Sequence, residues 1–169
     1  MSEEEVNIIE KPTKDEIVSL VTKEFGDKVQ FTESTKKNIR AINEGRRLFM
    51  HLTDKDLIYD VGKYFHDRLN FEQASSVTGV DWVDHMQVVY HLTNYCTAMC
   101  VEITIDVPLD DLHVPTIATI WQGANWHERE IYELFGIIFD GHPKLERLLT
   151  PQSYEFFPFR KSYKLRGQE

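Results

Sequence analysis

A change of hydrophobic period at residue 74 constrains this fold more than any other feature of the chain. From there to residue 107 the pattern changes toward a period of two in three runs: Ala74 to Trp82, Met86 to Leu92 and Met99 to Val107. In the third run Met99, Val101, Ile103, Ile105 and Val107 face one way, and Cys100, Glu102, Thr104 and Asp106 the other. A period of two marks a strand with one face on the core and one open to water or a partner. The polar connections around Asp84 and Asn94 are too short for a crossover, so consecutive runs pair antiparallel as a meander.

Upstream the period is helical. Thr13, with Glu16 three residues on, forms a capping-box pattern ahead of Ile17, Leu20, Val21 and Phe25, and Gly26 is the stop signal. Val29 and Phe31 suggest a short strand, and Arg47 to Leu52 another. Thr53 is the expected cap of a longer helix whose Leu57, Ile58, Val61, Tyr64, Phe65 and Leu69 all read as core. Helices on one face of a mixed or antiparallel sheet make a two-layer α+β fold. The expected organisation is a flexible acidic N-terminus (1–12), one α+β domain (13–149) and an extended basic and aromatic tail (150–169). Pro108 and Pro115 bracket a loop before the last helix. Tyr154, Phe156, Phe157 and Phe159 in the tail call for cover by this domain or by a partner.

The formal net charge of −9 argues against nucleic acid, since no broad basic face meets phosphates. Charge is uneven: residues 1–16 carry six acids against two lysines, whereas Arg160, Lys161, Lys164 and Arg166 face only Glu169 at the other end. That basic end reads either as a docking strand for an acidic partner or as a solvated terminus. No apolar run approaches the roughly 18–20 residues needed to cross a bilayer, and the acidic N-terminus lacks the pattern of a signal peptide. Cys96 and Cys100 are the only cysteines, too few for an iron–sulfur cluster or a structural zinc, and they read as ordinary buried or half-buried thiols.

Residues 126–149, WHEREIYELFGIIFDGHPKLERLL, hold the candidate site. Asn125 is a plausible N-cap with Glu128 in capping-box position, and Gly136 suits a left-handed C-cap. Ile131, Leu134 and Phe135 form an apolar face, while Glu128, Arg129, Glu130 and Glu133 crowd another. Spacing alone makes the latter a solvated face with one Arg129–Glu133 pair at i,i+4, worth a few tenths of a kcal/mol. His127-Glu128 begins like a zinc-protease helix, but Ile131 stands where the second ligand belongs. Gly136 and Gly141 have phosphate-loop spacing, but His142-Pro143 replaces the required Lys-Ser/Thr. The seven histidines are scattered without ligand spacing. His142 stands apart because Gly141 and Pro143 fix it in a turn, where it suits an orienting hydrogen bond.

Glu128-Arg129-Glu130, Tyr132-Glu133-Leu134-Phe135-Gly136-Ile137, Phe139, Gly141-His142-Pro143, Leu145 and Arg147-Leu148-Leu149 closely resemble the signature of one family, the C-type subunit of NADH-quinone oxidoreductase (respiratory complex I). The likeness extends through Val88 to Leu92, Ala124-Asn125-Trp126, Pro158, Arg160 and Lys161, covering residues 77–163. Lys144, Glu146 and Ser162 depart from the usual pattern and suggest a divergent bacterial or archaeal branch. The resemblance implies a cofactor-free scaffold of the peripheral arm of a complex-I-like oxidoreductase, supporting electron transfer coupled to ion translocation. Its implied partners are a hydrogenase-like large subunit that helps form a quinone site, an iron–sulfur small subunit, and membrane subunits that hold it on the cytoplasmic side. NADH, ferredoxin or a deazaflavin cofactor as donor, and quinone, protons or sulfur compounds as acceptor, remain open at this point. In this reading Glu128, Arg129, Glu130, Glu133, Gly136, Gly141, His142, Pro143 and Arg147 lock the C-terminal half in place, and Arg160 and Lys161 meet carboxylates of the partner. Two alternatives are a free-standing metal-dependent enzyme using His127, Glu128, Glu130 and His142, and a generic adaptor domain with no respiratory role.

Overall fold

The structure, a computed structural model, describes residues 8–9, 11–32 and 46–164. Most of the expected N-terminal segment (residues 1–7 and 10) and the tail's last five residues, Arg166 and Glu169 among them, lie outside the described residues. Helix α1 (Lys14–Phe25) starts at the expected capping box: the Glu16 N–H donates to the Thr13 hydroxyl at 3.3 Å and the Thr13 N–H to the Glu16 carboxylate at 2.8 Å. It ends at Gly26, with Ile17 and Val21 buried.

Strands β1 (Val29–Thr32) and β2 (Arg47–Leu52) fall where expected. The entry to the second helix differs. Thr53 is still tied to the sheet, its N–H and hydroxyl both donating to the Lys28 carbonyl. Asp54 does the capping instead, accepting from the Asp56 N–H at 3.2 Å above a 3₁₀ turn (Lys55–Leu57) that runs into α2 (Ile58–Asp67). Ile58, Val61, Phe65 and Leu69 are fully buried. Leu57 and Tyr64 only flank the core, Tyr64 meeting Phe25 edge-on.

The meander forms as β3 (Gln73–Asp81), β4 (His85–Asn94) and β5 (Met99–Pro108), and the five strands order as β1-β2-β5-β4-β3. Adjacent pairs are antiparallel except β2 and β5, which run parallel with Arg47 opposite Cys100 and Leu52 opposite Ile105. Met86, Val88, Tyr90 and Leu92 point inward from β4, and Val101, Ile103, Ile105 and Val107 from β5, into one continuous core. His85, Gln87, Val89, His91 and Thr93 lie half-buried on the other face. Cys100 is half-buried there, whereas Cys96 is exposed in the turn after β4, contrary to the expectation of two sheltered thiols.

The stretch expected as a loop up to Pro115 ends in a strand, β6 (His113–Pro115), which pairs in parallel with β7 (Ile138–Asp140). Helix α3 (Ala124–Phe135) is the crossover between them and lies against β3. Gly79 permits that approach, because a Cβ there would sit 2.8 Å from the Phe135 ring and 3.3 Å from Ile131.

Candidate functional site

Helix α3 does not start as the capping pattern suggests. The preceding turn supplies acceptors for its first N–H groups, with Ala124 donating to the Trp121 carbonyl and Asn125 to that of Gln122. Gly123 is the N-cap and makes no side-chain bond. Glu128 is thereby released from capping, and its carboxylate is carried into the interior with no solvent exposure. There it accepts the Thr116 hydroxyl and, at 2.8 Å, the Ile117 N–H. Burial pushes its pKa up to about 7, against the pull of hydrogen bonds from Thr116, Ile117 and Ala118.

Glu133 is also fully buried, with the opposite electrostatics. It faces three successive backbone N–H groups: Leu148 at 2.6 Å, Leu149 at 2.9 Å and Thr150. Such a row of amides is an anion-binding nest. Burial alone would raise its pKa, but the bonds from Thr150, Leu149 and Leu148 prevail and hold it below the usual carboxylate range. The solvated face expected from the spacing is therefore half interior. The Arg129–Glu133 pair is absent among the described ion pairs, because each group has found a backbone partner across the fold. Arg129 lies over the exposed Trp126 ring and donates from Nε to the Glu146 carbonyl at 2.9 Å.

These contacts are reciprocal. Arg129 reaches from helix to loop, and Arg147 reaches from loop to helix, donating to the Glu133 carbonyl at 3.3 Å and the Thr150 hydroxyl at 3.0 Å. Gly141, at φ +80°, turns the chain after β7. His142 then donates from Nε2 to the Asn125 carbonyl at 3.2 Å, while its Nδ1 accepts the Lys144 N–H at 3.1 Å. Both ring nitrogens are thus committed to a neutral imidazole, and burial lowers its pKa further. Segment 141–150 is strapped along α3 from Asn125 to Glu133. Glu130 and Pro143 are exposed and take no part in the straps.

The tail continues the strapping. Gly136 ends α3 in the left-handed region at φ +78°, where a Cβ would lie 2.6 Å from Arg160 and 2.8 Å from Phe157. Arg160 covers the Phe157 ring at 4.5 Å and donates from Nε to the Phe135 carbonyl at 2.6 Å. The Phe159 N–H bonds the Leu134 carbonyl at 3.1 Å. Lys161 gives its N–H to the buried Asp81 at 2.8 Å and sets its ammonium over Trp82. Arg160, expected to meet a partner's carboxylate, is tied through Nε to this chain's own helix end. What the tail leaves outward is Phe156 and Phe159, each 60% exposed, and Leu149 at 79%. Beside Phe156 an open concavity of about 1110 Å³ is lined by Tyr154, Phe157, Arg160, Tyr163 and Lys164.

Of the residues the metal-enzyme alternative requires, the structure joins only Glu128 and His142, 3.8 Å apart. Among the described residues no group of three or more His, Cys, Asp or Glu side chains is placed to hold a metal ion. Thr116 and Asp81 join the site without any sequence signal. Each reaches it from a distant element, and nothing local in the sequence distinguishes it.

Fold and site together define an α+β domain whose charged signature straps its own loop and tail onto one helix. The chain belongs to the family described as respiratory-chain NADH dehydrogenase, 30 Kd subunit, which matches residues 51–169. The C subunit of NADH-quinone oxidoreductase from a Nocardioides species is 39% identical over 132 residues, or 75% of this chain and 52% of that protein. Its counterpart in Chlorobium phaeobacteroides is 32% identical over 151 residues, 86% of each chain. The chain spans about half the length of the Nocardioides protein and 42% of a Salinispora tropica relative. In fold it is similar to a chain of an archaeal membrane-bound sulfane sulfur reductase, with a TM-score of 0.71 and 24% identity over 90% of this chain and 86% of that one. The trypsin-resistant fragment of Nqo5 gives a TM-score of 0.61 and 21% identity over 76% of this chain and 98% of the fragment.

Proposed function

We propose that this chain is a cofactor-free scaffold subunit of the peripheral arm of a complex-I-like, membrane-bound oxidoreductase. The observation that carries this reading is the use of the signature charges. Glu128, Arg129, Glu133, His142 and Arg147 all bond backbone or side-chain groups of the same chain, fixing the strapped loop and the base of the tail. Membership of the family supports the assignment to a multisubunit complex. The tail then presents Phe156, Phe159 and Lys164 to a neighbouring subunit, with Arg160 as its internal rivet.

In this reading the partners are a hydrogenase-like large subunit, an iron–sulfur small subunit and, through them, the membrane subunits. Redox cofactors reside in those partners, and the isolated chain has no activity of its own. Among the described residues no helix is long and apolar enough to cross a membrane, and partner subunits hold the chain at the cytoplasmic side. The complex oxidises NADH, ferredoxin or a deazaflavin cofactor, and its companions decide which.

The test is affinity recovery of the tagged chain from gently solubilised native membranes, with mass identification of what accompanies it. Co-recovery of a hydrogenase-like large subunit with integral membrane subunits is the expected result. Recovery of the chain alone from the soluble fraction overturns the assignment.

A further inference from the structure

We propose that Glu128 and His142 form a buried proton switch: release of a proton from Glu128 draws the His142 N–H away from Asn125 and loosens the turn that begins the strapped loop. Both side chains are completely shielded from solvent, with 3.8 Å between His142 Nε2 and Glu128 Oε2. Glu128 has hydrogen-bond donors in Thr116 and the Ile117 N–H, and no Lys or Arg pairs with it among the described residues. An ionised carboxylate buried without a cation costs several kcal/mol, so burial favours the neutral acid at Glu128. His142 is a poor acceptor for its proton. A second ring proton has to enter at Nδ1, and that nitrogen already accepts the Lys144 N–H.

The groups around the pair favour this distribution. On β4, the Tyr90 hydroxyl is fully buried, has no hydrogen-bond partner among the described residues and is sensitive to the charge on Glu128. On α3, Arg129 acts on His142 through space and disfavours an imidazolium, but its own hydrogen bond goes to the Glu146 carbonyl. His113 and Asp140, on the β6–β7 pair, bond each other in solvent. Among the described residues no fixed positive charge therefore compensates an ionised Glu128. Once its proton leaves to solvent, His142 Nε2–H, 3.8 Å away, is a donor that can turn to the carboxylate. Turning that N–H from the Asn125 carbonyl to the new carboxylate breaks the tie between turn and helix and misaligns Nδ1 for Lys144. No other bond is made or broken, and one proton is released.

The switch sits at one end of the loop whose other end is held by Glu133, so its state governs how firmly the segment leading to the tail is seated. The experiment is a pH titration of the full-length chain by NMR, reading the His142 ring nitrogens, the Glu128 carboxyl carbon and exchange of the Lys144 amide. Expected are a coincident step in all three signals near pH 7 and a loss of Lys144 protection of about tenfold beyond the intrinsic rise, equivalent to a small local opening. In Glu128→Gln, which stays neutral, the His142 and Lys144 steps disappear. Steps that persist in that variant overturn the switch. Should the variant fail to fold, a Glu128 carboxyl signal that is flat from about pH 5 to 9 in the unaltered chain overturns it equally.

Discussion

Two glutamates five positions apart on α3 show how little residue type alone decides. Glu128 and Glu133 are equally inaccessible, yet burial dominates the first and amide hydrogen bonds the second, so their pKa values move in opposite directions. The linkage to stability follows. Glu128 binds its proton more tightly in the fold than in the unfolded chain, so its contribution is complete below about 4.5 and is lost as pH rises through about 7. Glu133 and Asp81, held low by backbone N–H groups, contribute above the ordinary carboxylate range and lose that contribution as pH falls through their depressed values. His142 acts on the acid side too, because its lowered pKa makes the unfolded chain the better proton acceptor. Comparing Glu128→Gln with the unaltered chain isolates one limb of this profile. Between about pH 5 and pH 8.5 the stability difference should shift toward the variant by on the order of 3 kcal/mol. Urea unfolding midpoints at both pH values measure it, and a difference independent of pH removes Glu128 as the cause.

At the scale of elements, the α3 C-terminus is where helix, loop and tail meet, and Gly136 makes the meeting possible. Alanine there suffers twice: it disfavours φ +78° and its Cβ enters space held by Arg160 and Phe157. The left-handed conformation alone costs a non-glycine residue about 1–2 kcal/mol. Gly136→Ala should therefore lower the thermal midpoint and expose residues 151–164 to limited proteolysis while α1 and the sheet stay protected. Intact tail protection argues that the tail is held elsewhere. The elements readable from the sequence are those with local rules. Thr13 and Glu16 lie three residues apart, β4 and β5 alternate strictly, and Gly136 follows the last periodic residue. The misreadings share one cause. Asn125 looks like a cap for Glu128, and Arg129 like a partner for Glu133, because those pairs are close in sequence. In the fold, Thr116 and Ile117 reach Glu128 from across the small sheet, and Leu148 to Thr150 reach Glu133 from beyond it. The parallel pairing of β2 with β5 is non-local in the same way, and the three-residue strands β6 and β7 are too short to show a period.

For the molecule as a whole, the division between interior and exterior uses of the tail decides how assembly can be tested. Reversing Arg160 is uninformative, since it breaks the bond to the Phe135 carbonyl and the stack on Phe157, and a misfolded chain fails to assemble for trivial reasons. Phe156 and Lys164 are exposed on the rim of the tail's concavity; the Phe156 carbonyl accepts from Arg147, a bond that a side-chain change leaves in place, and its ring meets Tyr154 and Tyr163 edge-on. Exposed apolar groups that gather around a concave surface and beside cations are suited to an acidic, partly apolar partner segment, with the aromatic ring supplying most of the binding energy. The double change Phe156→Ser with Lys164→Glu should leave the melting temperature of the isolated chain within about 2 °C, as for surface substitutions worth about 0.5 kcal/mol. Recovery of companion subunits in the membrane pull-down should fall at least about tenfold, the effect of losing some 1.4 kcal/mol of binding. A stable variant that still recovers its companions in full places the partner interface elsewhere, and the open face of the sheet, with His85, Gln87, His91 and Thr93 outward, becomes the next surface to alter.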